Sequence, residues 1–147
     1  MKNQLSLGKL ISCIYRYTQT YLSKELMEYG IGSGQFSFLL FLYREEGVTQ
    51  DQIARALHVD KATATRALNK LEKEGYIRRK RDSVDKRRYN IYVTDAGRKM
   101  YPVLKDISSR WTKILLKDFS ENEKDQLFEM ISRVMENAST SRGCSDG

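Results

Sequence analysis

Eleven cations and five acids lie between Asp60 and Val93, a balance of +6 in 34 residues of a 147-residue chain whose whole net charge is +7. The other 113 residues set 15 positive charges against 14 negative ones. Lys and Arg at that density suit a polyanion, most often nucleic acid, although a solvated basic face would show the same composition. Two groups within the segment have the residue types for reading bases. From Lys61 to Glu74, a step of about 100° per residue puts Ala64, Leu68 and Leu71 on one side of a helix. Ala62, Arg66, Asn69 and Lys73 fall opposite, with Thr63, Thr65 and Lys70 on the flanks. Arg66 suits guanine O6 and N7, Asn69 suits adenine, and Thr63 can hydrogen-bond or offer its methyl to thymine. Ala62 lets the backbone come close, and Gln50, opening the preceding helix, is placed to donate to a phosphate.

The second group is a basic hairpin. Arg78, Arg79, Lys80 and Arg81 alternate across a strand, two to each face, and Arg79 and Arg81 are taken as contacts. Lys86, Arg87 and Arg88 sit at the tip. Asp85 stands two residues before Arg87, where a carboxylate can hold the guanidinium in a fixed fork for a narrow minor groove.

These residues need elements to position them. Thr49 with Gln52 forms a capping box, so a short helix starts at Thr49 and buries Ile53, Ala54 and Leu57. His58-Val59 makes a tight turn, Asp60 caps the next helix, and Gly75 stops it, which gives a helix-turn-helix. Tyr76 to Arg81 and Arg88 to Thr94 are β-rich runs joined by a polar loop, a hairpin placed as a wing. Before them, Leu7 to Leu26 has a helical apolar stripe ending at Gly30, and Gln35 to Glu46 is apolar nearly all round, a central core helix. After them, Thr94 caps a long helix through Met100, Leu104, Ile107 and Trp111. Ser120 with Glu123 opens a last helix through Leu127, Ile131 and Ala138. The Ser- and Thr-rich end from Asn137 is expected to fray.

The runs Val48-Thr49-Gln50, Val59-Asp60-Lys61-Ala62-Thr63, Leu68 to Ile77 and Asp82, Asp85, Arg87 followed by Val93-Thr94 resemble the MarR family of prokaryotic winged helix-turn-helix transcriptional regulators. Val93 stands where the family pattern has Leu. The resemblance spans roughly residues 5 to 138. It implies a mainly α fold with a small β-hairpin wing: residues 1–32 dimerising, 33–98 the DNA-binding winged helix-turn-helix, 99–138 dimerising again and 139–147 a flexible tail. It also implies a homodimer on double-stranded DNA with a pseudo-palindromic operator, most often a repressor. Family members commonly release DNA on binding a small phenolic or aromatic carboxylate; Lys9, Arg16 and Tyr17 are the candidate contacts here. Some relatives instead sense oxidants through a first-helix cysteine, a place Cys13 occupies, although a packing role suits Cys13 better.

Apolar residues on the flanking helices exceed what one small winged domain can cover, and Trp111, Phe119, Phe128 and Met130 are candidates for a subunit interface. Other function classes fare poorly. Cys13 and Cys144 cannot build a zinc knuckle, and His58 lacks neighbours at metal-ligand spacing. No cofactor, metal or catalytic constellation is expected, so an enzyme is not. A ligand-insensitive regulator of the same fold and a winged-helix protein-binding module stand as rivals; the second would bind DNA weakly. The N-terminus has no signal-peptide layout and no apolar run reaches a membrane span, so a cytoplasmic, nucleoid-associated protein is expected.

Overall fold

The computed structural model describes residues 6–143. Its elements run α1 (Leu7–Leu26), α2 (Ser33–Arg44), α3 (Gln50–Ala56), α4 (Lys61–Lys73), β1 (Ile77–Arg81), β2 (Tyr89–Val93), α5 (Asp95–Leu115) and α6 (Glu121–Gly143). One compact unit extends to Trp111 and a second begins at Thr112.

In the first unit, α2 lies at the centre, as its all-round apolar sequence requires. Phe38, Leu39 and Leu42 are buried against Leu22 and Leu26 of α1, Leu68 and Leu71 of α4, and Leu104 and Ile107 of α5. Leu22 and Leu26 of α1 and Met100, Leu104 and Ile107 of α5 thus share one core with the winged domain. The helix starts two residues earlier than expected because Gln35 acts as its third residue, its Oε1 accepting the Gly32 N–H at 2.8 Å. α1 ends at Leu26, short of Gly30. A 3₁₀ turn over Met27–Tyr29 fills the gap before Gly30 adopts φ 77°.

Both expected caps of the helix-turn-helix are present. The Gln52 N–H donates to Thr49 Oγ1 while Gln52 Oε1 accepts the Thr49 N–H at 2.8 Å. Asp60 Oδ1 accepts the Thr63 N–H at 2.6 Å, which holds the Asp60 carboxyl below the usual carboxylate range. Between them His58 turns the chain at φ 55°.

β1 and β2 pair antiparallel from Ile77 opposite Val93 to Arg81 opposite Tyr89. Tyr76 and Thr94, expected in the strands, instead close the corners. The Tyr76 N–H donates to Leu71 O and Thr94 Oγ1 accepts the Gly97 N–H at the start of α5. A bridge from Ile91 to Val48 ties β2 to the loop before α3. Gly97 is required there by space. A Cβ on it would stand 2.2 Å from Tyr76 O and 2.7 Å from Val93 Cγ1.

In the second unit, Ser120 and Glu123 form the expected capping box, at 2.8 and 3.1 Å. α6 runs on to Gly143, past Asn137 where a frayed tail was expected. The hydroxyls of Ser139, Thr140 and Ser141 donate to carbonyls three or four residues back along it. Cys144 lies outside the described residues.

Candidate nucleic-acid interface

α4 turns Ala64, Ala67, Leu68 and Leu71 into the core and leaves Lys61, Ala62, Arg66, Asn69 and Lys70 exposed. That division matches the helical wheel read from sequence. Thr63 and Thr65 are half-buried on the flanks. Arg66 donates to Thr63 Oγ1 at 3.4 Å, and Lys70 pairs with Glu74 one turn on, at 3.5 Å. Both contacts are long and solvent-facing, so each cation exchanges them readily for a phosphate or a base edge.

The wing separates its cations into free and fixed. Arg87 is free: its side chain is 93% exposed, with a single 3.4 Å contact from Nε to Asp85 Oδ1. The bidentate fork expected from sequence is therefore absent. Asp85 acts mainly on the backbone, accepting the Arg87 N–H at 3.1 Å. The loop is organised instead by Asp82, which sequence reasoning noted as part of a motif without giving it a role. Asp82 Oδ1 accepts the Val84 and Asp85 N–H groups at 2.8 and 3.0 Å, and Oδ2 accepts from Asn90 Nδ2 at 2.9 Å. These bonds, that from the Asp85 amide foremost, lower its carboxyl to about 2. Lys86 and Arg88 are exposed beside Arg87. Arg81 lies over the Tyr89 ring and donates to its hydroxyl at 3.0 Å.

Arg79 is fixed. Its side chain, 20% exposed, crosses from β1 to α4, with Nη1 donating to Glu72 Oε1 at 2.8 Å. Nη2 donates to Asn69 Oδ1 at 3.0 Å and to Gln50 Oε1 at 3.4 Å. Gln50 in turn donates through Nε2 to Thr65 Oγ1. Gln50, predicted to donate to a phosphate, thus has both ends of its amide engaged within the protein, and Arg79 braces the wing against the helix. The partners of Arg79 lie 7 to 29 residues away in sequence, which is why alternation along one strand did not find them. Between wing and helices lies an open cleft of about 630 Å³, lined by Gln50, Lys61, Arg79, Arg87, Arg88 and Tyr89 among others.

The residues predicted for an effector are only partly together. Cys13, Arg16, Tyr17 and Thr20 surround a shallow depression on α1, where Arg16 Nη2 lies 3.2 Å from Cys13 Sγ; Lys9 is not among them. A cleft of about 570 Å³, larger than this depression of about 240 Å³, opens between α2 and α5, walled by Leu40, Tyr43 and Tyr101 with Arg44, Arg98 and Lys105. Arg98 there bonds Glu46 Oε2 at 2.6 Å, and Glu46 Oε1 accepts the Val93 N–H at the end of β2. No local motif marks this cleft, because its residues come from elements more than 50 positions apart in the chain. Trp111, a candidate for a subunit interface, is used within the chain. Its ring stacks on Tyr21 at 4.6 Å and its Nε1 donates to Thr18 Oγ1.

A two-helix motif with an exposed polar face, followed at once by a basic hairpin, defines a winged helix-turn-helix protein. A family model described as the MarR family matches residues 29–88. An uncharacterized HTH-type transcriptional regulator, YybA of Bacillus subtilis strain 168, is 30% identical over 127 residues, covering 86% of this chain and 85% of the relative. A MarR transcriptional regulator from Methanosarcina mazei Go1 superposes with a TM-score of 0.87 at 42% identity, covering 91% of this chain and 96% of that one. A Listeria monocytogenes MarR family regulator solved with a 26mer DNA superposes at 0.84 with 27% identity, over 94% and 92% of the two chains. The chain belongs to the MarR family and is a helix-turn-helix transcriptional regulator, not an enzyme. Among the described residues no helix is long and apolar enough to cross a membrane.

Proposed function

We propose that the chain is a homodimeric repressor that binds a pseudo-palindromic site in double-stranded DNA, with α4 in the major groove and the wing's Arg87 in the adjacent minor groove. The observation that supports this most is the sorting of charge. α4 and the strands of the wing bury Leu68, Leu71, Ile77, Ile91 and Val93 and leave Lys61, Arg66, Lys70 and the tip cations exposed. A surface that contacts phosphates and bases needs that combination. Asp82 and Asp85 shape the tip; Arg66 and Arg87 do the contacting.

Dimerisation is supported by apolar residues that the single chain leaves uncovered. On α1 these include Leu7, Leu10, Ile11 and Ile14, and on α6 Phe128, Ile131 and Met135. Side chains of this kind at helical spacing mark a surface for another apolar surface. An effector, by the same reading, is a small aromatic carboxylate held in the α2–α5 cleft. Tyr43 and Tyr101 supply ring contacts there and Arg98 with Arg44 the positive charge.

The test is to sequence the fragments of its own genome that the purified protein retains. The reading expects inverted repeats whose half-sites are one helical turn, or a small multiple, apart. Fragments without a shared repeat count against it. For the effector, salicylate-like acids should release the DNA from the wild type and not from Arg98→Ala.

A further inference from the structure

We infer that the Glu72–Arg79 pair fixes the amide of Asn69 with its amino group toward the groove, so that Asn69 reads guanine and not the adenine that asparagine usually pairs with. The inference rests on the DNA-binding reading above and adds a base assignment to it.

A guanidinium has only donors, so the atom of Asn69 that meets Arg79 Nη2 at 3.0 Å must be the carbonyl oxygen. Arg79 cannot easily swing away. Its other terminal nitrogen is held by Glu72 at 2.8 Å, its side chain is largely covered, and the Nη2 that meets Asn69 also donates to Gln50 Oε1 at 3.4 Å. Asn69 Oδ1 is therefore turned toward β1, and the exposed remainder of the amide is its NH₂ group. Adenine recognition needs an acceptor and a donor side by side, for N6–H and N7. With the oxygen turned toward β1 and bonded to a cation, Asn69 presents chiefly its NH₂ group; guanine meets that donor with two acceptors, O6 and N7, whereas adenine sets an N6–H donor beside its N7 that the amide then leaves unpaired.

The presence of Glu72 supports a positioning role. An exposed acid on a DNA-facing helix repels phosphates, and its position three residues after Asn69 puts it on the same stripe of α4. As an anchor for Arg79 it has a use that a bare surface acid lacks. A pair that only braced the wing would alter affinity evenly across sequences; a pair that orients Asn69 alters the preferred base at one position.

Selection from double-stranded DNA with randomised half-sites, using the full chain, separates these. Wild type should enrich G·C at one symmetry-related pair of positions. Asn69→Ala should relax that pair by roughly tenfold while the other positions hold. Glu72→Gln, which loosens Arg79, should admit A·T at the same pair with the rest of the site unchanged. The inference is overturned if the position relaxed by Asn69→Ala is A·T in the wild type, if Asn69→Ala relaxes no position, or if Glu72→Gln leaves the spectrum as it was. A wild type that enriches no sequence would instead bring down the DNA-binding reading, and this assignment with it.

Discussion

The winged head and the long helices at the two ends of the chain manage their side chains in opposite ways. In the head, Ile53, Leu68, Leu71, Ile77 and Ile91 are almost wholly buried and the cations are outside. On α6 the apolar residues themselves are outside, with Phe128 at 56% and Met135 at 68% exposure, and the first half of α1 is similar. A closed core with free charge is finished as a fold and open to a polyanion. An apolar face left in water is unfinished until another surface covers it. Under the proposed function each surface has its own partner, DNA for one and a second copy for the other.

The contrast can be broken from either side. The largest effect should come from opening the head: Leu68→Ala removes a fully buried side chain from under α4 and should cost about 2–5 kcal/mol, read from urea unfolding. Gly97→Ala comes next, forcing a Cβ against the Tyr76 carbonyl; overpacking of that kind costs about 1–3 kcal/mol, and a neutral result would mean that α5 shifts freely against the hairpin. On the other side, Phe128→Asp should leave the helical content of the chain nearly intact and lower its sedimentation coefficient to that of a monomer. An unchanged coefficient would mean that the exposed face of α6 is not the dimer surface. The smallest effect concerns the wing alone. Asp82 is held at about 2 in the folded loop, below its ordinary 3.8, so its contribution is complete above the ordinary value and lost as pH falls through the folded one. The Val84 and Asp85 amide resonances should titrate near pH 2; a midpoint near 4 would show that the loop does not hold Asp82 as described.

What sequence disclosed and what it did not divide along the same line. Caps and turns are local chemistry, so Thr49, Asp60, Gly75 and Ser120 were legible from two or three neighbours each. The burial of Ala64, Leu68 and Leu71 followed from helical period. The partners of Arg79 were illegible because they are on α3 and α4, and alternation along a strand says only which face a side chain leaves from. The contacts of Trp111 were illegible for a similar reason: Tyr21 and Thr18, which it meets, lie some 90 residues upstream. The α2–α5 cleft is likewise a product of packing between distant segments. At the C-terminal end, composition argued for fraying, whereas α6 continues to Gly143 with its hydroxyls bonded back along the helix.

In the proposed reading α4 and the wing meet DNA through their free cations, and at the tip the Arg87 side chain is 93% exposed. The most direct test is affinity for a selected DNA site across a series of salt concentrations, for wild type and Arg87→Ala. Wild-type log affinity should fall steeply and linearly with log salt, and Arg87→Ala should bind more weakly with a slope shallower by about one per wing engaged. Superimposable lines for the two proteins, or wild-type binding indifferent to salt, would contradict the account.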